Sequence, residues 1–140
     1  MNKTEILAAL SAFAEQRPGI EPGNYATWRD YRNESASVTA DLQDARRLIR
    51  YVELRDSITA DHLIKALGNS RRLTLKVGGT LDYTTGQYFP VEYRKAVCAA
   101  LASVIWNWLR DSCGYETRDD MTDAIEREFG NCRINRRYFN

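Results

Sequence analysis

One stretch limits the fold of this chain more than any other. Between Lys95 and Arg110 the sequence AVCAALASVIWNWL carries no charge, and only Ser103 and Asn107 are polar. A helix that is apolar nearly all round has to be buried. The run falls short of the roughly 20 apolar residues that cross a bilayer. It therefore predicts the central helix of a globular domain, with Pro90 or Val91 in its first turn and Gly114 just past its end. Ala96, Ala99, Ala100 and Ser103 are small enough to admit a neighbouring helix closely. Val97, Leu101, Val104, Ile105 and Trp108 are bulky and are expected to fill the core on the other side.

The rest of the pattern supplies partners for that helix. Ile6, Leu7, Leu10, Phe13 and Ala14 share one helical face and predict a first helix from Asn2 or Lys3 to Gln16. Pro18, Gly19, Pro22 and Gly23 then break the chain. A second helix is expected from an N-cap at Asn24 to about Arg55. Along it Trp28, Tyr31, Ser35, Val38, Leu42, Ala45, Ile49 and Val52 alternate by three and four residues. This is a heptad seam, on a helix roughly 45 Å long. Such a seam packs along its own bundle or forms a homodimer through the helix Trp28–Val52. Past Leu48 the apolar surface widens to Tyr51 and Leu54, which places that end inside the domain.

Thr59 is expected to cap a short third helix with Ala60, Leu63, Ile64 and Leu67 inward, ended by Gly68 and Asn69. From Arg72 to Val77, Leu73, Leu75 and Val77 alternate to one side. Gly78-Gly79 predicts a two-residue turn, and Thr80 to Thr84 returns with Leu81 and Tyr83 inward. A last helix starts at Thr117, turns Met121, Ala124, Ile125 and Phe129 inward, and stops at Gly130. Ile134, Tyr138 and Phe139 anchor the tail that follows. At 140 residues the chain reads as one domain, 1–140. The expected fold is mainly α: a single-domain helical bundle around the buried central helix, with one small β-hairpin.

Chemistry-bearing residues are few. The formal net charge is +1, from 20 basic and 19 acidic side chains. That is far from the strong basicity of a dedicated nucleic-acid binder. Cys98, Cys113 and Cys132 are odd in number and lack CxxC spacing, which disfavours a disulfide framework and a zinc site. His62 is the only histidine and projects from the polar face of its helix. No nucleophile–base–orienter set is visible, and the inward positions of the helices are apolar. The chain is expected to be no enzyme and to hold no cofactor and no metal. MNKTEILAAL lacks the apolar segment of a secretion signal, so a cytoplasmic location is expected, without membrane insertion.

Binding features are stronger. Arg46, Arg47 and Arg50 cluster on the second helix, and Arg71, Arg72 and Lys76 at the β segment. Arg133, Arg136 and Arg137 share the tail with Tyr138 and Phe139, and no acidic residue follows Gly130. Arginines beside aromatic rings hold phosphates and stack bases. They are also enriched at protein–protein hot spots. The plainer reading is a solvated face neutralised by Asp41, Asp44 and Glu53.

The segment LDYTTGQYFPVEYRKAVCAALASVIWNWLRD, Leu81 to Asp111, and the closing RRYFN resemble small uncharacterised proteins of temperate bacteriophages and prophages. The resemblance implies an accessory role in the cytoplasm of the bacterial host. Its partner would be a host or phage protein complex, such as a defence, replication, recombination or nuclease component. The alternative is an accessory protein that binds DNA or RNA through the arginine clusters.

Overall fold

The computed structural model describes residues 1–16, 23, 25–68, 73–75, 81–83, 92–114, 116–130 and 132–139. Among them are five α-helices: α1 (Lys3–Glu15), α2 (Trp28–Glu53), α3 (Ala60–Gly68), α4 (Glu92–Cys113) and α5 (Arg118–Glu128). Strands β1 (Leu73–Leu75) and β2 (Leu81–Tyr83) precede α4, and a 3₁₀ turn at Arg136–Phe139 ends the tail. The fold is mainly α, as expected. The strands pair antiparallel with Leu73 opposite Tyr83 and Leu75 opposite Leu81. The Gly78-Gly79 turn lies outside the described residues.

Side-chain caps set several helix starts. The Asn2 side chain accepts the Glu5 N–H at 2.8 Å, and the Thr27 and Thr117 hydroxyls accept those of Asp30 and Asp120 at 3.1 Å. Helix α2 thus begins at the Thr27 cap, later than the Asn24 start expected; Asn24 itself is outside the described residues. Gly114 and Gly130 end α4 and α5 with φ of 69° and 73°. That left-handed conformation strains any residue with a Cβ. Thr117→Ala is expected to cost about 1 kcal/mol, the usual price of a lost N-cap, read as a lower urea midpoint with an unchanged slope.

Helix α4 is the hub, packed against α1, α2, α3 and the tail turn. Val97, Cys98, Leu101, Ala102 and Ile105 are fully buried on it. It is not covered all round, however. Lys95, Ala99, Ser103 and Asn107, four residues apart, form an exposed strip. The small side is therefore divided: Ala96 and Ala100 are buried, while Ala99 and Ser103 face solvent. Small side chains lose little by staying in water, so this is the face the bundle can leave open. Arg94, at the edge of the uncharged run, is fully buried and donates to the Gln16 carbonyl at the end of α1. A cation at a helix C-terminus is favoured by the helix dipole.

The α1 face is buried as expected, from Ile6 to Ala14. The α2 seam is divided between core and solvent. Val38, Leu42, Ala45 and Val52 are buried within the domain, whereas Trp28 is 61% exposed and Tyr31 and Ser35 are half-buried. Two expected inner residues face out. Leu54 is 51% exposed because α2 ends there and its backbone turns back to bond the Arg50 carbonyl. Ile64 is 41% exposed because Leu63 and Leu67 define the inner side of α3. Ile58, in the α2–α3 connection, takes up core space instead and is fully buried.

Candidate functional site

The inner arginines of α2, Arg46, Arg47 and Arg50, are each held by a carboxylate. Arg46 grips Glu15 of α1 with Nε and Nη2 contacts of 2.8 to 3.1 Å. Arg47 lies 3.3 Å from Asp44, and Arg50 pairs with Glu53. The exposed pairs Arg46–Glu15 and Arg50–Glu53 contribute about 0–1 kcal/mol each, but all three pairs cancel local charge. Arg71, Arg72 and Lys76 lie outside the described residues.

The tail is expected to present Arg133, Arg136 and Arg137, without a local acidic partner, beside Tyr138 and Phe139, which also anchor it. The structure places two of these residues against the body of the domain. Tyr138 is 7% exposed, and its hydroxyl donates to Asp41 Oδ1 of α2, so it is an anchor. Arg136 reaches Asp119, Asp123 and Glu126 of α5 at 3.3, 2.8 and 3.1 Å. Its partners precede Gly130 in sequence and share one face of α5, so a search within the tail could not find them. Arg133 and Arg137 are exposed and make no ion pair among the described residues. The Phe139 side chain is not among those described. Ile134 is buried and donates its N–H to Glu126 at 2.7 Å, and the Asn135 N–H reaches Asp44 at 3.4 Å. Burial pushes the Asp41 and Asp44 carboxyls and the Tyr138 hydroxyl above their ordinary values. Between tail, α5 and the end of α4 lies a cleft lined by both signs of charge, with Asp120, Asp123, Arg127 and Arg133 on its walls.

A second constellation was not legible in the sequence. The Arg55 guanidinium lies 3.4 Å from the Tyr51 ring centroid and 5.8 Å from that of Trp108. It holds the Glu128 carboxylate with both Nη atoms and donates to the Tyr51 carbonyl at 3.2 Å. Trp108 donates its indole N–H to Ser57 at 3.0 Å. The arrangement clamps the end of α2 to the end of α5. Burial pushes the Tyr51 hydroxyl up to about 12.

The outer end of α2 is the third place of interest. Trp28 and Tyr31 meet at a tilt of 40° with centroids 5.1 Å apart, and Tyr25 meets Tyr31 edge-on at 5.8 Å. The helix continues from them through a shallow groove of Ser35, Ala36, Thr39 and Ala40. Arg29, Asp30 and Arg32 are exposed beside it.

His62 has a local role. Its Nδ1 accepts the Thr59 N–H at 3.0 Å, closing the first turn of α3 as a glutamate closes a capping box. Among the described residues no cluster of His, Cys, Asp and Glu could hold a metal ion, and no helix is long and apolar enough to cross a membrane. No family model, no curated protein and no solved structure matches the chain, so its sites are read from its own residues.

Proposed function

We propose that the chain is a non-catalytic accessory protein that binds another protein, with the outer end of α2 as its contact surface. The observation that carries this reading is the aromatic group of Tyr25, Trp28 and Tyr31 on a helix end that leaves the core. A tryptophan 61% exposed, beside two tyrosines and exposed arginines, has the composition of an interface hot spot. The resemblance of Leu81–Asp111 to phage proteins suggests the partner class: a component of a host defence, replication or nuclease complex, met in the host cytoplasm. Protein is favoured over nucleic acid because the arginine cluster Arg46, Arg47 and Arg50 is neutralised by Glu15, Asp44 and Glu53. The nucleic-acid alternative rests on Arg133 and Arg137. A homodimer would have only Trp28, Tyr31 and Ser35 to use, since the inner seam is occupied by the domain itself.

The test is the double variant Trp28→Ala/Tyr31→Ala. It should leave the helical signal unchanged and shift stability by no more than about 0.5 kcal/mol, as surface substitutions do. Capture of a partner from nuclease-treated host lysate should fall by about 30-fold or more, corresponding to a hot spot of about 2 kcal/mol. Capture that is unaffected by the double variant removes this surface from the proposal. Capture lost on nuclease treatment and on Arg133→Glu/Arg137→Glu favours nucleic acid, and sedimentation that shows a dimer lost in the variant favours self-association.

A further inference from the structure

We propose that the C-terminal segment, residues 132–139, is a proton-linked strap: its docking on α2 is favoured by protonation of the carboxyl pair Asp41 and Asp44. This inference is independent of the contact surface proposed above. Both aspartates lie on the inner side of α2, at 5% and 6% exposure. Both are contacted by the tail, through the Tyr138 hydroxyl at Asp41 and the Asn135 N–H at Asp44. A strap held only by apolar packing would have no reason to cover two acids.

The pair is poorly supplied with donors. Asp41 Oδ1 takes the Tyr138 hydroxyl, while Asp41 Oδ2 is buried with no hydrogen-bond partner. Asp44 has two long contacts, to Arg47 at 3.3 Å and to the Asn135 N–H at 3.4 Å. From α4, Lys95 and Arg94 act on Asp41 by charge alone, and the Cys98 thiol donates to the Asp41 backbone carbonyl at 3.5 Å. Asp41 and Asp44 repel one another within α2. From α5, Glu126 holds the other side of the strap through the Ile134 N–H and Arg136. Docking thus removes water from two carboxylates and returns fewer hydrogen bonds than it takes. Such a group prefers its neutral form.

Desolvation outweighs the Tyr138, Lys95 and Arg94 contributions at Asp41, and the Asn135, Arg47 and Tyr138 contributions at Asp44, so both carboxyls are pushed up from the ordinary value of 3.8. The sign follows. The docked state holds a proton more tightly than the released state, in which both groups meet water. Docking is favoured in full below the ordinary aspartate range and weakens as pH rises through the raised values. The proton comes from solvent and goes to a buried carboxylate oxygen such as Asp41 Oδ2, while Tyr138 continues to donate to Oδ1.

Amide hydrogen exchange of the intact protein reads this directly, because the Ile134, Asn135, Arg137 and Tyr138 N–H groups are all bonded when the strap is docked. Exchange is measured at about pH 3.5, below the ordinary aspartate value, and at about pH 7.5, and corrected for the chemical exchange rate, with the α4 peptide as internal reference. The expected result is protection of the tail peptide that falls several-fold at the higher pH while α4 stays protected. In Asp41→Asn or Asp44→Asn, whichever retains the native helical signal, that difference should shrink. Equal tail protection at both pH values overturns the proposal. So does parallel loss in α4, which would assign the effect to the whole fold, and so does an undiminished difference in the asparagine variants.

Discussion

Leu101→Asp is expected to leave no folded protein. Leu101 is fully buried at the middle of α4, the helix that packs against the other four. The substitution removes a leucine from the core and puts an unpaired carboxylate in its place. The first effect costs about 2–5 kcal/mol and the second several more. Their sum rivals the entire stability of a domain, about 5–15 kcal/mol. The measurement is soluble yield and far-ultraviolet circular dichroism. Ser103→Asp is the control: it lies two residues away on the exposed strip, and its expected effect is within about 0.5 kcal/mol. A native spectrum for Leu101→Asp would show that α4 is not the hub.

Tyr138→Ala is expected to lower the melting temperature by on the order of 10 °C. The ring is buried and, among the described residues, its hydroxyl is the one donor to the Asp41 carboxylate. Truncating a buried aromatic residue costs about 3–5 kcal/mol, and stranding its buried acceptor adds about 1–3 kcal/mol. For a domain near this size each kcal/mol moves the midpoint by about 2–4 °C. The loss is limited by the free energy with which the tail docks, because a tail that leaves the body lets Asp41 meet water. Tyr138→Phe keeps the packing and isolates the hydroxyl, so its smaller decrease measures the hydrogen bond alone. An unchanged midpoint for Tyr138→Ala would mean that the tail contributes nothing to the fold.

Much of the helical architecture was legible because its signals are local. The α1 face repeats within two turns, and the uncharged run of α4 is contiguous. What the sequence could not show are meetings between distant residues. Arg55 and Glu128 are 73 positions apart, and Tyr138 and Asp41 are 97 apart. Asp41 and Asp44 read as the solvated flank of the Leu42 and Ala45 seam, whereas in the structure both are buried and contacted by the returning tail. Arg136 looked unpartnered because its carboxylates lie on the preceding helix. The α2 seam was legible as a pattern, but periodicity does not say where its partner stops. The pattern runs unbroken from Trp28 to Val52, whereas burial begins at Val38. Among the expected binding residues, the α2 arginines could be placed on a surface from sequence. Their neutralisation by Glu15 across a helix pair could not.

The way α2 leaves the core has a consequence for the kinetics and entropy of recognition. Its 26 residues contain neither glycine nor proline, and at about 1.5 Å per residue the turns before Val38 extend roughly 15 Å. A peptide that short would not hold a helix in water, because the first turn is costly to nucleate. Here nucleation is already complete: the inner turns are fixed by packing, and the Thr27 hydroxyl closes the far end. The outer turns need only propagate. A partner of the proposed surface would therefore meet Trp28 and Tyr31 on a preformed rod. Little ordering entropy would be left to lose at the moment of contact, so a change that loosens the helix at an exposed position away from the aromatic group, such as Ser37→Gly, should weaken binding there.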